Sequence, residues 1–316
     1  MGHHHGMDRT HNDHALFFND WPKVSRIIEK EKGAWIREKQ VELKGLVSYA
    51  KGQGLKSVLH FYEPTYPHYF ADLYPETLTL SKKKWGGRDI TFIEFCPANL
   101  AAWELFRSKY AEVLRTFKGV DMVVITCHES VSPNYAWHSC PACKNMSKGE
   151  RLAAAANNLR EAVKSANPSV EAGIRLWGHT FSRKIYLNYF KSASAAVGQK
   201  LAREFHPEIT PENDPEKVIP VFLKNVKNRD VVMIHKATAR DISVGQEFTE
   251  WLGRFVGFPE IMEVSFENFN NYAHPVFIGE QISRFTRKAA AAGIAGAMGV
   301  PINISNNDRS FDPVSG

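Results

Sequence analysis

Two carboxylates in this sequence fall where acid and base chemistry would use them. Glu129 lies in Cys127-His128-Glu129-Ser130, directly after the apolar run Met122-Val123-Val124-Ile125, and Asp241 ends the segment RDVVMIHKATARD. Cleaving a glycosidic bond needs one carboxylic acid to protonate the leaving oxygen and a second carboxylate to activate water or attack the anomeric carbon. Partial desolvation beside a buried strand would raise the pKa of Glu129 toward that of an acid, leaving Asp241 as the natural base. Other polar residues gather after apolar runs: Glu63, Tyr66 and His68; Arg175 and His179; Lys236 and Arg240; Glu263 within a run, and Glu267 and Asn268 after it. Any one of them reads equally well as a solvated loop residue. Several acids together with Trp137, Trp177 and Tyr66 are what a sugar site combines, since carboxylates do the chemistry and aromatic platforms stack on the ring. Lys236 has two readings, neutralising a substrate carboxylate or pairing with a neighbouring acid, while His60 and His235 read as satisfied strand histidines.

The elements that must position these residues follow from hydrophobic periodicity. Strands are expected at Leu55–Tyr62, Val120–Thr126, Ala172–Trp177, Asp230–Lys236, Ile261–Phe266 and Ile294–Val300, with a further candidate at Ala15–Phe18. Helices are expected at Trp35–Lys51, Leu100–Phe117, Lys148–Ala166 and Phe277–Ala292, where apolar residues recur at three- and four-residue spacing. Alternating strands and helices imply parallel strands joined by crossover helices, and runs apolar on every residue imply burial on both faces. No Gly-rich turn follows an early strand, which argues against a doubly wound open sheet. The expected fold is therefore α/β, a (β/α)8 TIM barrel with an incomplete or irregular N-terminal part. In such a barrel the residues just past each strand build the active site. The stretch from His206 to Pro220, with four prolines, reads as a surface loop or short excursion.

Composition bounds the rest. The chain has 316 residues, 43% of them hydrophobic, and the expectation is a single catalytic domain over residues 1–316, with residues 1–12 tag-derived or disordered. The opening Met1-Gly2-His3-His4-His5-Gly6 reads either as a tag remnant or as a native His-rich loop. No stretch approaches the roughly 18 apolar residues of a membrane span, so no membrane partner is expected. The net charge of +6 favours polyanions, acidic polysaccharides as well as nucleic acids. Lys82, Lys83 and Lys84 form an isolated surface triplet without interleaved aromatics, so nucleic acid is not the expected partner. No basic and apolar leader follows the N-terminus, leaving the cytoplasm open as a location and, if a signal peptide has been removed, the periplasm or exterior.

With those residues in place, a family resemblance can be read. The segment GVDMVVITCHESVSP (Gly119–Pro133) resembles the strand and loop of family 67 glycoside hydrolases, the α-glucuronidases, in which the general acid glutamate follows such a strand. The resemblance implies Glu129 as general acid. It extends through Gly173–His179, implying that Arg175 contacts a uronic acid carboxylate, and through Arg229–Asp241, where the Lys236-to-Asp241 spacing implies Asp241 as the base of an inverting mechanism. GQGLKSVLHFYEPTYP, MEVSFENF and GIAGAMGV resemble further strands of the family, so the likeness runs in order from about Gly45 to Asn303. Two positions depart from the pattern. Phe269 stands where the family has a second base carboxylate, which Glu263 or Glu267 would have to replace, and Thr126 stands where it has a lysine. The implied function is an exo-acting glycoside hydrolase on uronic-acid-containing or otherwise acidic oligosaccharides, with Arg175, Lys236, His179, Trp137, Trp177, Glu63, Glu267 and Asn268 binding substrate. Phe269 motivates the alternative, a catalytically inactive barrel that binds carbohydrate or a partner protein.

The loop SPNYAWHSCPACKN carries a separate signal. No cofactor is expected for the chemistry, but Cys140 and Cys143, with Cys127 and His138 or His128, have donor types that suit a structural zinc. A lone C-x-x-C equally describes two thiols or a disulfide.

Overall fold

A computed structural model describes residues 22–63, 70–85, 88–127, 141–176, 215–238, 251–265, 279–291 and 293–300. In chain order these form helix α1 (Pro22–Gly52), strand β1 (Val58–Glu63), the short helix α2 (Phe70–Leu73), strands β2 (Leu78–Trp85) and β3 (Arg88–Phe95), α3 (Leu100–Thr116), β4 (Met122–Cys127), α4 (Lys148–Ala166), β5 (Glu171–Arg175), α5 (Pro215–Asn225), β6 (Val231–Thr238), β7 (Glu260–Ser265), α6 (Gly279–Ala291) and β8 (Gly296–Val300). Six strands form one parallel sheet in the order β1-β4-β5-β6-β7-β8, and β2 and β3 form a separate antiparallel pair. The fold is α/β, as the alternation of apolar runs implies. Each strand of the large sheet lies beside the next one in sequence, with no reversal of direction. Such winding is that of a (β/α) barrel sheet, whereas a doubly wound sheet reverses at a switch point.

The chain divides into two compact units: residues 1–146, 154–173 and 312–316, and residues 147–153 and 174–311. In the first unit β1 and β4 pair in register from Val58↔Met122 to Glu63↔Cys127. Val123, Val124 and Ile125 are wholly buried, so β4 is covered on both faces. The helix α3 starts at Asn99, whose side chain accepts hydrogen bonds from the backbone N–H groups of Ala101 and Ala102, satisfying two of the amides that a helix start leaves open. Its inner face buries Ala102, Phe106, Tyr110 and Val113, and Tyr110 meets Phe61 of β1 edge to face at 5.4 Å. Burying one such aromatic contributes about 1.5–3 kcal/mol.

The second unit is built around β6 and β7, in register from Met233↔Glu260 to Thr238↔Ser265, with β8 paired to β7. Phe222 of α5 packs on Phe255 and Phe258 at 5.4 and 5.5 Å. At the start of α4, Gly149 lies so close to α5 that a Cβ there would meet the Val218 carbonyl oxygen at 2.6 Å.

All six strands of the large sheet fall where periodicity puts them, with no end displaced by more than three residues. Two other expectations are corrected. The first helix begins at Pro22, where a proline suits the first helical position, rather than at Trp35. Lys82, Lys83 and Lys84, expected as a surface triplet, fall within strand β2, which pairs with β3. Pro215–Pro220, read as loop, opens α5; Pro215 takes the first helical position and Val218, Ile219 and Phe222 supply a buried face. The candidate strand Ala15–Phe18 lies outside the described residues, as do residues 1–12.

Candidate functional site

Strand alternation sorts the polar side chains of each unit onto opposite faces of the sheet. In the first unit, Phe61 and Glu63 share the face covered by α3. Glu63 is 2% exposed, and its Oε1 accepts from Lys109 Nζ, in a buried ion pair, and from Tyr110 Oη at 2.7 Å. The ammonium also lies 5.1 Å from the centroids of the Phe61 and Tyr110 rings, a cation–π arrangement. Burial pushes the Glu63 carboxyl above its ordinary range, opposed by the Lys109 charge and the two hydrogen bonds. Its Oε2 is buried without a hydrogen-bond partner. The other face carries His60, whose Nε2 is hydrogen-bonded to Thr126 Oγ1 at 2.5 Å. Glu63, expected to contact substrate, is thus turned toward α3.

In the second unit the face with His235 carries, among the described residues, Met233, Met262 and one polar pair. His235 Nε2 meets Glu260 Oε2 at 2.6 Å, and the same oxygen accepts from the Gly253 N–H at 2.9 Å, with the His235 ring beside Phe255, which in turn packs on Trp251. His235 is therefore a satisfied strand histidine at Nε2, although its Nδ1 is buried without a hydrogen bond. The opposite face carries Glu263. Arg175, at the end of β5, grips that carboxylate with two donors: Nε donates to Oε2, and a terminal nitrogen donates to Oε1 at 2.6 Å. Both residues are essentially buried, at 3% and 1% side-chain exposure. The bidentate fork crosses β6, which lies between β5 and β7. Lys236 of β6 is the register partner of Glu263, so it sits on the face that carries the Arg175–Glu263 pair.

Of the remaining candidates, Glu129, Asp241, His179, Trp137, Trp177, Glu267, Asn268 and Cys140 lie outside the described residues. Glu129 is two positions past the last residue of β4, and Asp241 three past that of β6. Cys143 is buried and Cys127 closes β4. Among the described residues no group of three or more His, Cys, Asp and Glu side chains is placed to hold a metal ion. Again among the described residues, no helix is long and apolar enough to cross a membrane.

Two ion pairs were not foreseen. Lys109 gave a signal: it falls on the stripe Ala102, Phe106, Lys109, Val113, at helical spacing among apolar residues, and a cation there requires a buried anion. The Arg175–Glu263 pair gave a weaker one, two charged residues near the ends of otherwise apolar strands.

No protein-family model matches the chain, and no curated protein matches it. It is similar in structure to a family 89 glycoside hydrolase from Clostridium perfringens in complex with 2-acetamido-1,2-dideoxynojirmycin, with a TM-score of 0.47 and 13% identity over 89% of this chain and 27% of that one. A family 20 exo-β-N-acetylglucosaminidase from Vibrio harveyi gives a TM-score of 0.43 and 12% identity, over 86% of this chain and 39% of that one. A Flavobacterium johnsoniae chitobiase of family 20 gives 0.44 and 11%, over 88% and 36%. The chain spans between about a quarter and two-fifths of the length of these proteins.

Proposed function

We propose that this protein is a glycoside hydrolase acting on an acidic oligosaccharide, with Glu129 as general acid and Asp241 as the base that activates water. The observation that carries the reading is the buried Arg175–Glu263 fork, with Lys236 in register beside Glu263, at the carboxyl-end half of a parallel sheet wound in barrel order. A sheet that needed only to pack would place apolar residues there, because replacing a buried ion pair by hydrophobic residues of similar volume is often neutral or stabilising. Among the described residues of this face Arg175 and Lys236 are two cations beside the one carboxylate of Glu263, a pattern suited to orienting an anionic sugar. Glu263 would hold the Arg175 guanidinium flat, and Lys236 would supply the second positive charge for a carboxylate. The resemblance to family 67 in sequence and the structural likeness to families 89 and 20 both name glycosidases, and the uronic acid preference rests on the sequence resemblance and on this charge pattern.

In the reaction, Glu129 would donate its proton to the glycosidic oxygen as the C–O bond breaks, while Asp241 takes a proton from the water that attacks the anomeric carbon. Hydrolysis of uronic-acid-capped and neutral oligosaccharides, followed by product chromatography, tests the substrate. Glu129→Gln is expected to abolish turnover and leave sugar binding intact. Activity undiminished in that variant overturns the assignment. A wild type that binds these sugars and cleaves none of them identifies instead the inactive barrel, the reading that Phe269 favours.

A further inference from the structure

We infer that His60 is a substrate-binding residue of the cleavage site, one that takes a hydroxyl group of the sugar rather than its carboxylate. The inference deepens the reading of the protein as a glycosidase and rests on it. In the first unit the paired strands β1 and β4 have two faces. Phe61 and Glu63 lie under α3, while His60, Met122, Val124 and Thr126 belong to the other side by register and alternation. Helices lie outside a (β/α) barrel, so that other side is the one turned toward its interior. Met122 and Val124 are buried there and Thr126 is wholly buried, whereas His60 is half-buried.

The direction of the ring follows from its hydrogen bond. His60 is in register with Val124, yet its Nε2 bonds Thr126 Oγ1 at 2.5 Å, two residues farther along β4. The imidazole therefore leans toward the carboxyl end of the strands, where barrel enzymes bind substrate. Thr126 precedes the proposed acid Glu129 by three residues, a span the chain cannot stretch beyond about 11 Å. Chemistry separates this histidine from the other strand histidine. His235, 0% exposed, meets the carboxylate of Glu260. His60 meets a hydroxyl instead, which carries no charge and both donates and accepts. An imidazole held in that way is suited to another neutral group of the same kind, and a pyranose ring presents several. Were packing the sole requirement, a valine at position 126 would fill the same volume without a buried hydroxyl to satisfy.

Titration calorimetry on the full chain tests the inference, in the Glu129→Gln background so that the sugar is not consumed. The probes are a glucuronic-acid-capped oligosaccharide and its glucose-capped counterpart. His60→Ala is expected to weaken binding of both by about tenfold, the size of one lost hydrogen bond. His60→Asn, a neutral side chain that donates and accepts, should keep most of the affinity. Thr126→Val, which releases the ring, should fall between, with Thr126→Ser at the parent value. A melting temperature measured beside each affinity separates the roles, because a merely structural histidine lowers that temperature and leaves the affinity of the folded protein alone. Unchanged affinity in folded His60→Ala overturns the inference, as does a loss confined to the uronate-capped sugar, which marks charge recognition. Should His60→Ala fail to fold, Thr126→Val decides in its place, unchanged affinity again overturning the inference. Failure of the glycosidase reading is distinct: wild-type protein that binds both sugars and cleaves neither refutes that reading and leaves the sugar contact standing, whereas protein that binds neither refutes both.

Discussion

Removing one member of the Arg175–Glu263 pair leaves a buried charge without its counterion, which costs about 3–5 kcal/mol, whereas removing both charges together is about neutral or favourable by up to ~4 kcal/mol. The structure fixes which case applies, since both side chains are nearly inaccessible and the contact is bidentate. For a single cooperative transition, an unfolding entropy of about 2.1 cal/mol/K per residue over 316 residues gives about 0.66 kcal/mol per degree. Arg175→Met and Glu263→Leu should therefore each lower the melting temperature by about 5–8 °C, as should Glu263→Gln. Arg175→Met/Glu263→Leu should return to within about 2 °C of the wild type or exceed it. Scanning calorimetry on the four proteins closes the cycle, whose coupling energy reports the pair alone. Single losses that simply add in the double variant would refute the reasoning, because they would mean that each residue is held by other contacts. A folded double variant also separates packing from function: it should no longer bind a uronic-acid-capped oligosaccharide, although its stability is restored.

Three further outcomes follow from the geometry. Gly149→Ala sets a methyl 2.6 Å from the Val218 carbonyl oxygen and 2.8 Å from the Val221 Cβ; neither can swing away, so a loss of about 1–3 kcal/mol is expected in urea unfolding. The Ser147 N–H and Oγ both donate to Glu150 Oε2, at 2.7 and 2.8 Å, and the Glu150 N–H returns to Ser147 Oγ, which closes a capping box at the start of α4. These bonds hold the Glu150 carboxyl below its ordinary value. Ser147→Ala should cost about 1 kcal/mol at neutral pH. The stability Glu150 supplies is present above the ordinary glutamate pKa and lost as pH falls through its lower folded value, so the cost shrinks in acid. Glu63 has the opposite sign. Its folded pKa is raised by burial, so its contribution is fully present below the unfolded value and is lost as pH rises through the folded one. Relative to Glu63→Gln/Lys109→Met, in which neither position titrates, the wild type should lose stability between acid and neutral pH; a gain over that interval in urea titrations contradicts the assignment.

Much of the fold was legible because it depends on one-dimensional regularities. The run Met122-Val123-Val124-Ile125 announces a strand buried on both faces, and the Lys148–Ala166 helix appears in the structure with the ends its periodicity gives it. The pairing of β2 with β3 was not legible, because LTLSKKKW carries three lysines in its second half and its partner opens with Arg88-Asp89; only the pairing of the two halves makes a strand of either. Helix α5 was hidden by Pro215 and Pro220, which read as loop punctuation unless the first is recognised at a helix start and the apolar face is traced through Val218, Ile219 and Phe222. As for the site, sequence singled out Arg175, Lys236, Glu63 and Glu263 as residues near strand ends, but not which of them meet. Contacts across a sheet depend on face and register, and neither is written in the spacing of residues far apart in the chain.

Face decides more than contact. Glu260 and Glu263 belong to one strand and differ by an odd number of positions, so they lie on opposite sides of it. Glu260 meets His235 beside Phe255, whereas Glu263 meets Arg175 on the face that carries Lys236. A slip of one residue in the β6–β7 register would exchange these surroundings, burying Lys236 among the aromatic rings and presenting His235 in its place. The aromatic cluster of Phe222, Trp251, Phe255 and Phe258 opposes that exchange, since desolvating a charged ammonium there costs several kcal/mol, which the Glu260 carboxylate would have to offset. The apolar side of the strand pair thereby sets the position of the charged side, and Glu263 rather than Glu260 is the acid of β7 through which substitutions should alter sugar binding.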